Sequence, residues 1–346
     1  MTRFLPRAGL AQAAALALVL AADRLASPQF LDLRWQEGRL FGSLVDVLNR
    51  GAPVALLSLG MVLVVATRGI DLSVGAVMAI SGAVAASLAD YWPLPVVLAA
   101  ALGTGLLCGL WNALLVAVFR IQPIVATLIL MVAGRGIAQL ITGGRIVTFS
   151  APGLAWFGSG TVAGLPAAGI LAGCMLLLTL LLVRGTALGL MIEATGGNER
   201  AAALAGVDTR GTIAVAYAWS GLCAALAGVV AASDIRGADA NNAGLWLELD
   251  AILAVVIGGT SLLGGRFSAV LAVVGALIIQ AMNTGILLSG FRPEFNLLVK
   301  AVVVLGVLLM QSPATAALWA GKPRRAIAPP RPGDGSPTRL GGTGAA

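Results

Sequence analysis

Residues 183–210 read VRGTALGLMIEATGGNERAAALAGVDTR, a charged, glycine-punctuated island between the apolar runs 166–183 and 212–232. The island faces water, so the runs on either side of it must cross something else. Within it, residues 196–206 have the grammar of one short helix: Asn198 can cap the first free N–H groups, Glu199 suits the positive end, and Gly206 tolerates the left-handed backbone that ends a helix. The rest of the island reads as loop. A helix this short is marginal alone in water, so Ala201, Ala202 and Ala205, with Leu204, are expected to form a face that packs on a partner protein.

Working outward, the 346 residues are 59% hydrophobic and only 11% charged, with a mean hydropathy of +0.96. Ordinary soluble domains carry about 25% charged residues, so the chain is an all-α polytopic membrane protein. A net charge of +7 could point to nucleic acid, but the basic residues are scattered and no Lys/Arg run interleaves with aromatics. Five of the twenty-two, Lys322, Arg324, Arg325, Arg331 and Arg339, lie near the C-terminus, where they suit anionic lipid headgroups instead. Cys108, Cys174 and Cys223 each sit inside an apolar run, which is neither a disulfide framework nor metal-ligand spacing. With no histidine, imidazole relays and Ser-His-Asp triads are excluded. The lysines are Lys300 and Lys322, neither in a G-x-x-x-x-G-K-[ST] loop, so no ATP hydrolysis is expected within this chain, and no catalytic residue, cofactor or metal.

Ten spans are expected, at residues 10–22, 49–67, 72–89, 93–119, 123–142, 166–183, 212–232, a short run from 249 that stalls at Gly258-Gly259, 268–288 and 295–311. A hydrocarbon core about 30 Å thick requires helices of this length. The transmembrane body is then residues 8–312, and the Pro-, Gly- and Arg-rich residues 313–346 are expected to stay disordered as a basic cytoplasmic tail. An even count returns both termini to one side. Placing them inside with the 183–210 island puts thirteen Lys/Arg inside and seven outside, or eight to seven without the tail. Residues 23–46, 143–165 and 233–248 are then outside segments. The breaks at Arg68-Gly69-Ile70-Asp71 and Gly258-Gly259-Thr260-Ser261 occupy corresponding positions on one membrane side, either as Gly-broken spans exposing backbone to a polar path or as simple helix caps.

Ionisable residues inside spans are costly and face a cavity or a partner. Arg135 serves either as a path-lining donor to hydroxyls or as a structural partner of Gln139 or of a neighbouring helix's carbonyls. Asp71 is placed to cap the third span, and Asn112, Gln139, Gln280 and Asn283 suit an uncharged polyol or interhelical hydrogen bonding. The candidates for a translocation path are Asp71, Asn112, Arg135, Gln139 and Asn283.

The string Glu193-Ala194-x-Gly196-x-Asn198-x-x-Ala201-Ala202-x-x-Ala205-Gly206-Val207 resembles the cytoplasmic coupling loop of permease subunits in ribose-type bacterial ABC sugar importers. The likeness continues through Gly69-Ile70-Asp71-Leu72-Ser73-Val74-Gly75, Gln122-Pro123-Ile124-Val125-Ala126-Thr127-Leu128 and Gly258-Gly259-Thr260-Ser261-Leu262-Leu263-Gly264-Gly265-Arg266-Phe267. Asp234-Ile235-Arg236-Gly237-Ala238-Asp239-Ala240 and Asn283-Thr284-Gly285-Ile286 are most similar to galactofuranose importer permeases. The resemblance implies an inner-membrane subunit that moves a monosaccharide by alternating access, galactofuranose or another such as ribose or xylose. It implies a cytoplasmic ATPase, holding MgATP, engaging Asn198, Glu199, Ala201, Ala202, Leu204, Ala205 and Gly206. It also implies a second permease, identical or sister, and a periplasmic sugar-binding protein, for whose docking Asn241, Asn242 and Trp246 are candidates. An ion-coupled transporter working alone would need carboxylates near mid-membrane, and only Asp71 and Asp250, both near span ends, approach that.

Overall fold

Six helices among the described residues are long and apolar enough to cross a membrane: Ser43–Ala66, Leu94–Val118, Pro123–Thr142, Ala167–Gly185, Thr209–Asp234 and Ala269–Leu288. The computed structural model describes residues 5–36, 38–290, 297–302 and 305–306. Two compact units divide the chain, Met1–Val304 and Leu305–Ala346, and the helices named here lie in the first. The expected tail, residues 313–346, lies outside the described residues, as does most of the expected last span, of which 297–302 is helical.

In order the helices are α1 (Leu5–Ala26), α2 (Ser43–Ala66), α3 (Val74–Leu88), α4 (Leu94–Ala113), α5 (Pro123–Thr142), α6 (Pro152–Ser159), α7 (Ala167–Gly185), α8 (Leu188–Gly197), α9 (Glu199–Leu204), α10 (Thr209–Asp234), α11 (Leu247–Ile257) and α12 (Ala269–Leu288). A π turn, Leu114–Val118, continues α4. The only extended structure among the described residues is three short antiparallel ribbons, Arg34–Gln36 with Arg39–Phe41, Val147–Thr148 with Gly237–Ala238, and Thr161–Val162 with Leu165–Pro166.

Helices α2 and α10 are buried along most of their length, and α10 packs on α4, α2 and α3. The outer helices α4, α5 and α7 instead turn large apolar side chains such as Leu107, Val132, Leu140, Leu177 and Leu181 outward, as a lipid-facing surface requires. Small residues set the tightest seam. A Cβ at Gly105 would strike the Gly221 carbonyl and Ala225, one at Gly109 the Tyr217 carbonyl, and one at Gly221 the Gly105 carbonyl. With lipid tails as apolar as leucine, helices associate through such close backbone approach.

Three expectations change. Helix α2 starts at Ser43, not at residue 49, directly after the first ribbon. Residues 188–197, read as loop, form α8. Its buried positions Gly189, Ile192, Thr195 and Gly196 follow helical spacing, so packing supplies what local propensity does not. At Gly196 a Cβ would collide with the Ala66 carbonyl at the end of α2, so the contact requires glycine. The third change concerns residues 233–248, which are not wholly on the surface: Gly237, Ala238, Ala240, Gly244 and Glu248 are buried, while Asn241, Asn242, Leu245 and Trp246 are exposed. The Gly237–Ala238 strand packs on α3, with Ala238 in one apolar cluster with Ala83, Ala86 and Ala89 toward its end, whereas Gly244 touches Gly75 at its start. The segment therefore runs alongside α3 for about 16 Å at 1.5 Å per residue, and α11 starts at that depth.

The α4–α10 seam has no slack. Gly221→Val is expected to destabilise the fold by about 1–3 kcal/mol or more, because the colliding atoms are backbone. A lowered thermal midpoint in detergent checks this, and an unchanged midpoint contradicts the seam.

Candidate functional site

The 24 residues of α2 span about 36 Å, and a cavity lies at each end of it. The first, about 500 Å³, is lined from α2 by Asn49, Arg50, Pro53 and Val54, from the 235–246 segment by Asp239 and Asn242, from α11 by Asp250 and from α12 by Gln280 and Asn283. Its volume falls within the range of small-molecule sites. Asn49 Oδ1 and Asn283 Oδ1 are buried there without a hydrogen-bond partner in the chain. Buried acceptors of that kind call for a donor, and a neutral hydroxyl supplies one.

The floor of this cavity is built by a half-helix. Eleven residues make α11 about 16 Å long, half the thickness of a hydrocarbon core. It runs antiparallel to α12, with Gly258 against Leu271 and Gly275 against Ala254. Asp250 in its first turn accepts both carboxylate hydrogen bonds from Lys300, at 2.9 and 2.8 Å, with the two side chains only 10% and 13% exposed. Backbone without helical hydrogen bonds is tolerated at such depth only inside protein or beside a cavity. Arg135 meets that requirement. Its guanidinium donates to the carbonyls of Ala243 and Gly244, each at 3.2 Å. Gln139, one turn on, donates to Asn241 Oδ1 at 2.9 Å, and Asn242 donates to Asp239 Oδ2 at 2.7 Å.

Near the other end of α2, Asp71 is 2% exposed and surrounded by donors. The Ser73 N–H and hydroxyl and the Asn112 amide point at Oδ1, at 3.0, 2.6 and 3.4 Å, and the Ser220 hydroxyl donates to Oδ2 at 2.8 Å. Asp71 thus holds the turn ahead of α3 and ties it to α4 and α10.

A second cavity of about 420 Å³ opens at that end, lined by Thr67, Arg68, Gly69, Arg120, Gln122, Thr195, Glu199 and Tyr217 among others. Arg68 donates to the carbonyl of Leu263 at 2.9 Å and to that of Gly197 at 2.6 Å, while the Gly265 N–H bonds the Ala66 carbonyl at 2.9 Å. The Asn198 side chain accepts from the Ala201 N–H at 3.0 Å and so caps α9. Arg120 pairs with Glu199 at 2.7 Å. Ala201, Ala205 and Leu204 are exposed, Leu204 at 87%, and Gly206 has φ +86°. Ala202, expected on the same outward face, is instead buried, since neighbouring positions on a helix lie about 100° apart.

Sequence reading thus placed five residues on one path, and the structure separates them. Asp71 and Asn112 share a cluster, Arg135 and Gln139 hold the 235–246 segment, and Asn283 lines the first cavity. Of the three docking candidates, Asn241 is engaged with Gln139, Asn242 lines the first cavity, and Trp246 is exposed at the head of α11, at depth beside α3. Asn49, Arg50, Asp239 and Asp250 line the cavity and were not singled out as path residues, since nothing local marks Asn49 or Arg50 as inward-facing.

Residues 43–308 match the family described as branched-chain amino acid transport system / permease component. The chain is 65% identical over 311 residues to a galactofuranose transporter permease of Escherichia coli, covering 90% of this chain and 91% of that one. It is 41% identical to a fructose import permease of Bifidobacterium longum, covering 86% and 85%, and 37% identical to a ribose import permease of E. coli, covering 86% and 92%. No solved structure matches. The chain belongs to this permease family and is a multi-pass membrane protein.

Removing the Arg135 guanidinium leaves the part-buried Ala243 carbonyl without its donor, while the Gly244 carbonyl keeps the Leu247 N–H. Arg135→Met is expected to cost about 1–3 kcal/mol, and Arg135→Lys to recover part of it. Thermal unfolding of the purified permease measures both, and equal midpoints for all three proteins would remove Arg135 from this role.

Proposed function

We propose that the chain is the membrane-spanning subunit of an ATP-binding-cassette importer that moves a monosaccharide, galactofuranose, from periplasm to cytoplasm. The observation that carries this reading is the likeness, across nine-tenths of the chain, to a galactofuranose transporter permease. The first cavity supports it, since its two unpartnered amide oxygens are suited to sugar hydroxyls.

In this reading the protein lies in the bacterial inner membrane with both termini cytoplasmic. The six long helices are joined by α1, α3, α11 and a tenth segment at residues 295–311 to make ten crossings or partial crossings. A periplasmic sugar-binding protein delivers substrate at the end bearing the first cavity. A cytoplasmic ATPase, which holds MgATP, engages the exposed Glu199, Ala201, Leu204 and Ala205 of the α9 region. Its closure pushes α9. Glu199 passes the push to Arg120 at the foot of α5, and Gly197 passes it through Arg68 to the α2–α3 junction and to Leu263. Helix α2 lines the first cavity and its C-cap Thr67 the second, so tilting it opens one as it closes the other, which is alternating access between two populated states. A second permease, identical or sister, completes the path.

Reconstitution with its ATPase and binding protein in proteoliposomes tests this. ATP-dependent uptake of galactofuranose in preference to ribose and fructose is the expected result. Preference for ribose or fructose overturns the substrate, and uptake driven by an ion gradient without ATPase overturns the class. Ala201→Arg, on the exposed face, is expected to abolish uptake at unchanged protein levels, whereas Ala202→Glu, in a buried position, should lower the thermal midpoint as well. Asn49→Leu and Asn283→Leu should cut uptake at least about tenfold, the loss of one or two hydroxyl contacts worth about 1.4 kcal/mol.

A further inference from the structure

We propose that the pocket around Asp71 binds one alkali cation, Na⁺ or K⁺, between the turn ahead of α3, α4 and α10. Four oxygen atoms meet there through hydrogen bonds, both Asp71 carboxylate oxygens and the hydroxyls of Ser73 and Ser220, and the side chains of Asn112 and Tyr217, each with an unpartnered oxygen, border them. Asp71, Ser73, Asn112, Tyr217 and Ser220 are each 2% exposed or less. Tyr217 precedes Ser220 by three positions on α10 and so shares its face, and its hydroxyl lies against Gly69, two residues before Asp71.

Two features point to a ligand. The Asp71 carboxylate forms no ion pair among the described residues, since the two recorded pairs are Arg120–Glu199 and Lys300–Asp250. A buried carboxylate of that kind needs a positive charge or a proton. Asn112 Oδ1 and Tyr217 Oη are buried with no hydrogen-bond partner. The Asn112 amide is held with its NH₂ on Asp71 and Ser73, so the oxygen on the same group is fixed beside the cluster.

A proton on Asp71 would cancel its charge, but it could serve at most one of the two orphan oxygens. A cation meets several oxygens at once. The ligand set has one carboxylate and otherwise neutral oxygens, which fits a hard monovalent ion, whereas Ca²⁺ and Mg²⁺ sites draw on more carboxylates. No group of three or more His, Cys, Asp or Glu that could hold a metal ion occurs among the described residues, which sets transition metals aside. Entry is available, because Thr67, Gly69 and Tyr217 also line the second cavity. A bound ion would brace the break between α2 and α3, the same junction that Arg68 joins to the α8–α9 region.

The full chain in lipid nanodiscs tests the site. Thermal midpoints are measured in NaCl, KCl and choline chloride at one ionic strength, each at pH 6 and pH 8. One alkali salt is expected to raise the midpoint by a few degrees over choline, with saturation. Ser220→Ala should raise the half-saturating concentration by about tenfold, and Asp71→Asn should abolish the salt effect. If Asp71→Asn does not fold, the wild type and Ser220→Ala carry the test. Equal midpoints in all three salts overturn the site. So does an alkali-independent rise on lowering the pH, which would assign the charge compensation to a proton, and so does an alkali effect that Ser220→Ala leaves unchanged.

Discussion

In hydrocarbon there is no water to satisfy a peptide group, so every N–H and C=O must find its partner inside the protein. The helices meet this constraint by themselves. Wherever a helix stops short of the bundle's end, a polar side chain must take over, and the chain's most notable residues are found at those places. Asp71 answers the turn between α2 and α3, Arg135 the descending segment before α11, and Arg68 the carbonyls of Gly197 and Leu263. Arg135 in particular looks like an expensive intramembrane charge when read alone and like a required partner when the backbone beside it is considered.

Helix α2 links these solutions. Its first turns face the larger cavity, its buried middle packs on α10, and its end is joined by hydrogen bonds or direct contact to Gly196, Gly265 and the junction before α3. A rigid element with distinct partners at its two ends transmits displacement between them, and interfaces as tight as the glycine seam shift between discrete arrangements instead of deforming smoothly. The Lys300–Asp250 pair joins Asp250, on the cavity's α11 side, to the helical segment 297–302, so that side too is held by a specific contact.

Much of this was legible in the residues. The long apolar runs marked their helices because lipid makes length and hydropathy sufficient signals, and the Asn198 cap and Gly206 stop were readable because both act through their immediate neighbours. Helix α8 was not legible, since the close approach that requires Gly196 is to Ala66 and Gly265, distant in sequence. Arg135 was recognisable as costly, but which of its possible partners it meets depends on a segment 108 residues away. The depth of α11 was hidden for a related reason: Asp-, Asn- and Gly-rich sequence reads as surface loop, and only its packing along α3 shows otherwise.

The π turn at Leu114–Val118 accommodates one residue more than an α-helix would, with Phe119 bonding back five places to Leu114. Each helical residue advances the azimuth by about 100°, so the widened turn sets the compass bearing at which α4 hands the chain to Arg120. Straightening that stretch into regular α-helix would swing the guanidinium away from Glu199 and break the ion pair between α9 and the entry to α5, with the remainder of α4 left in its place.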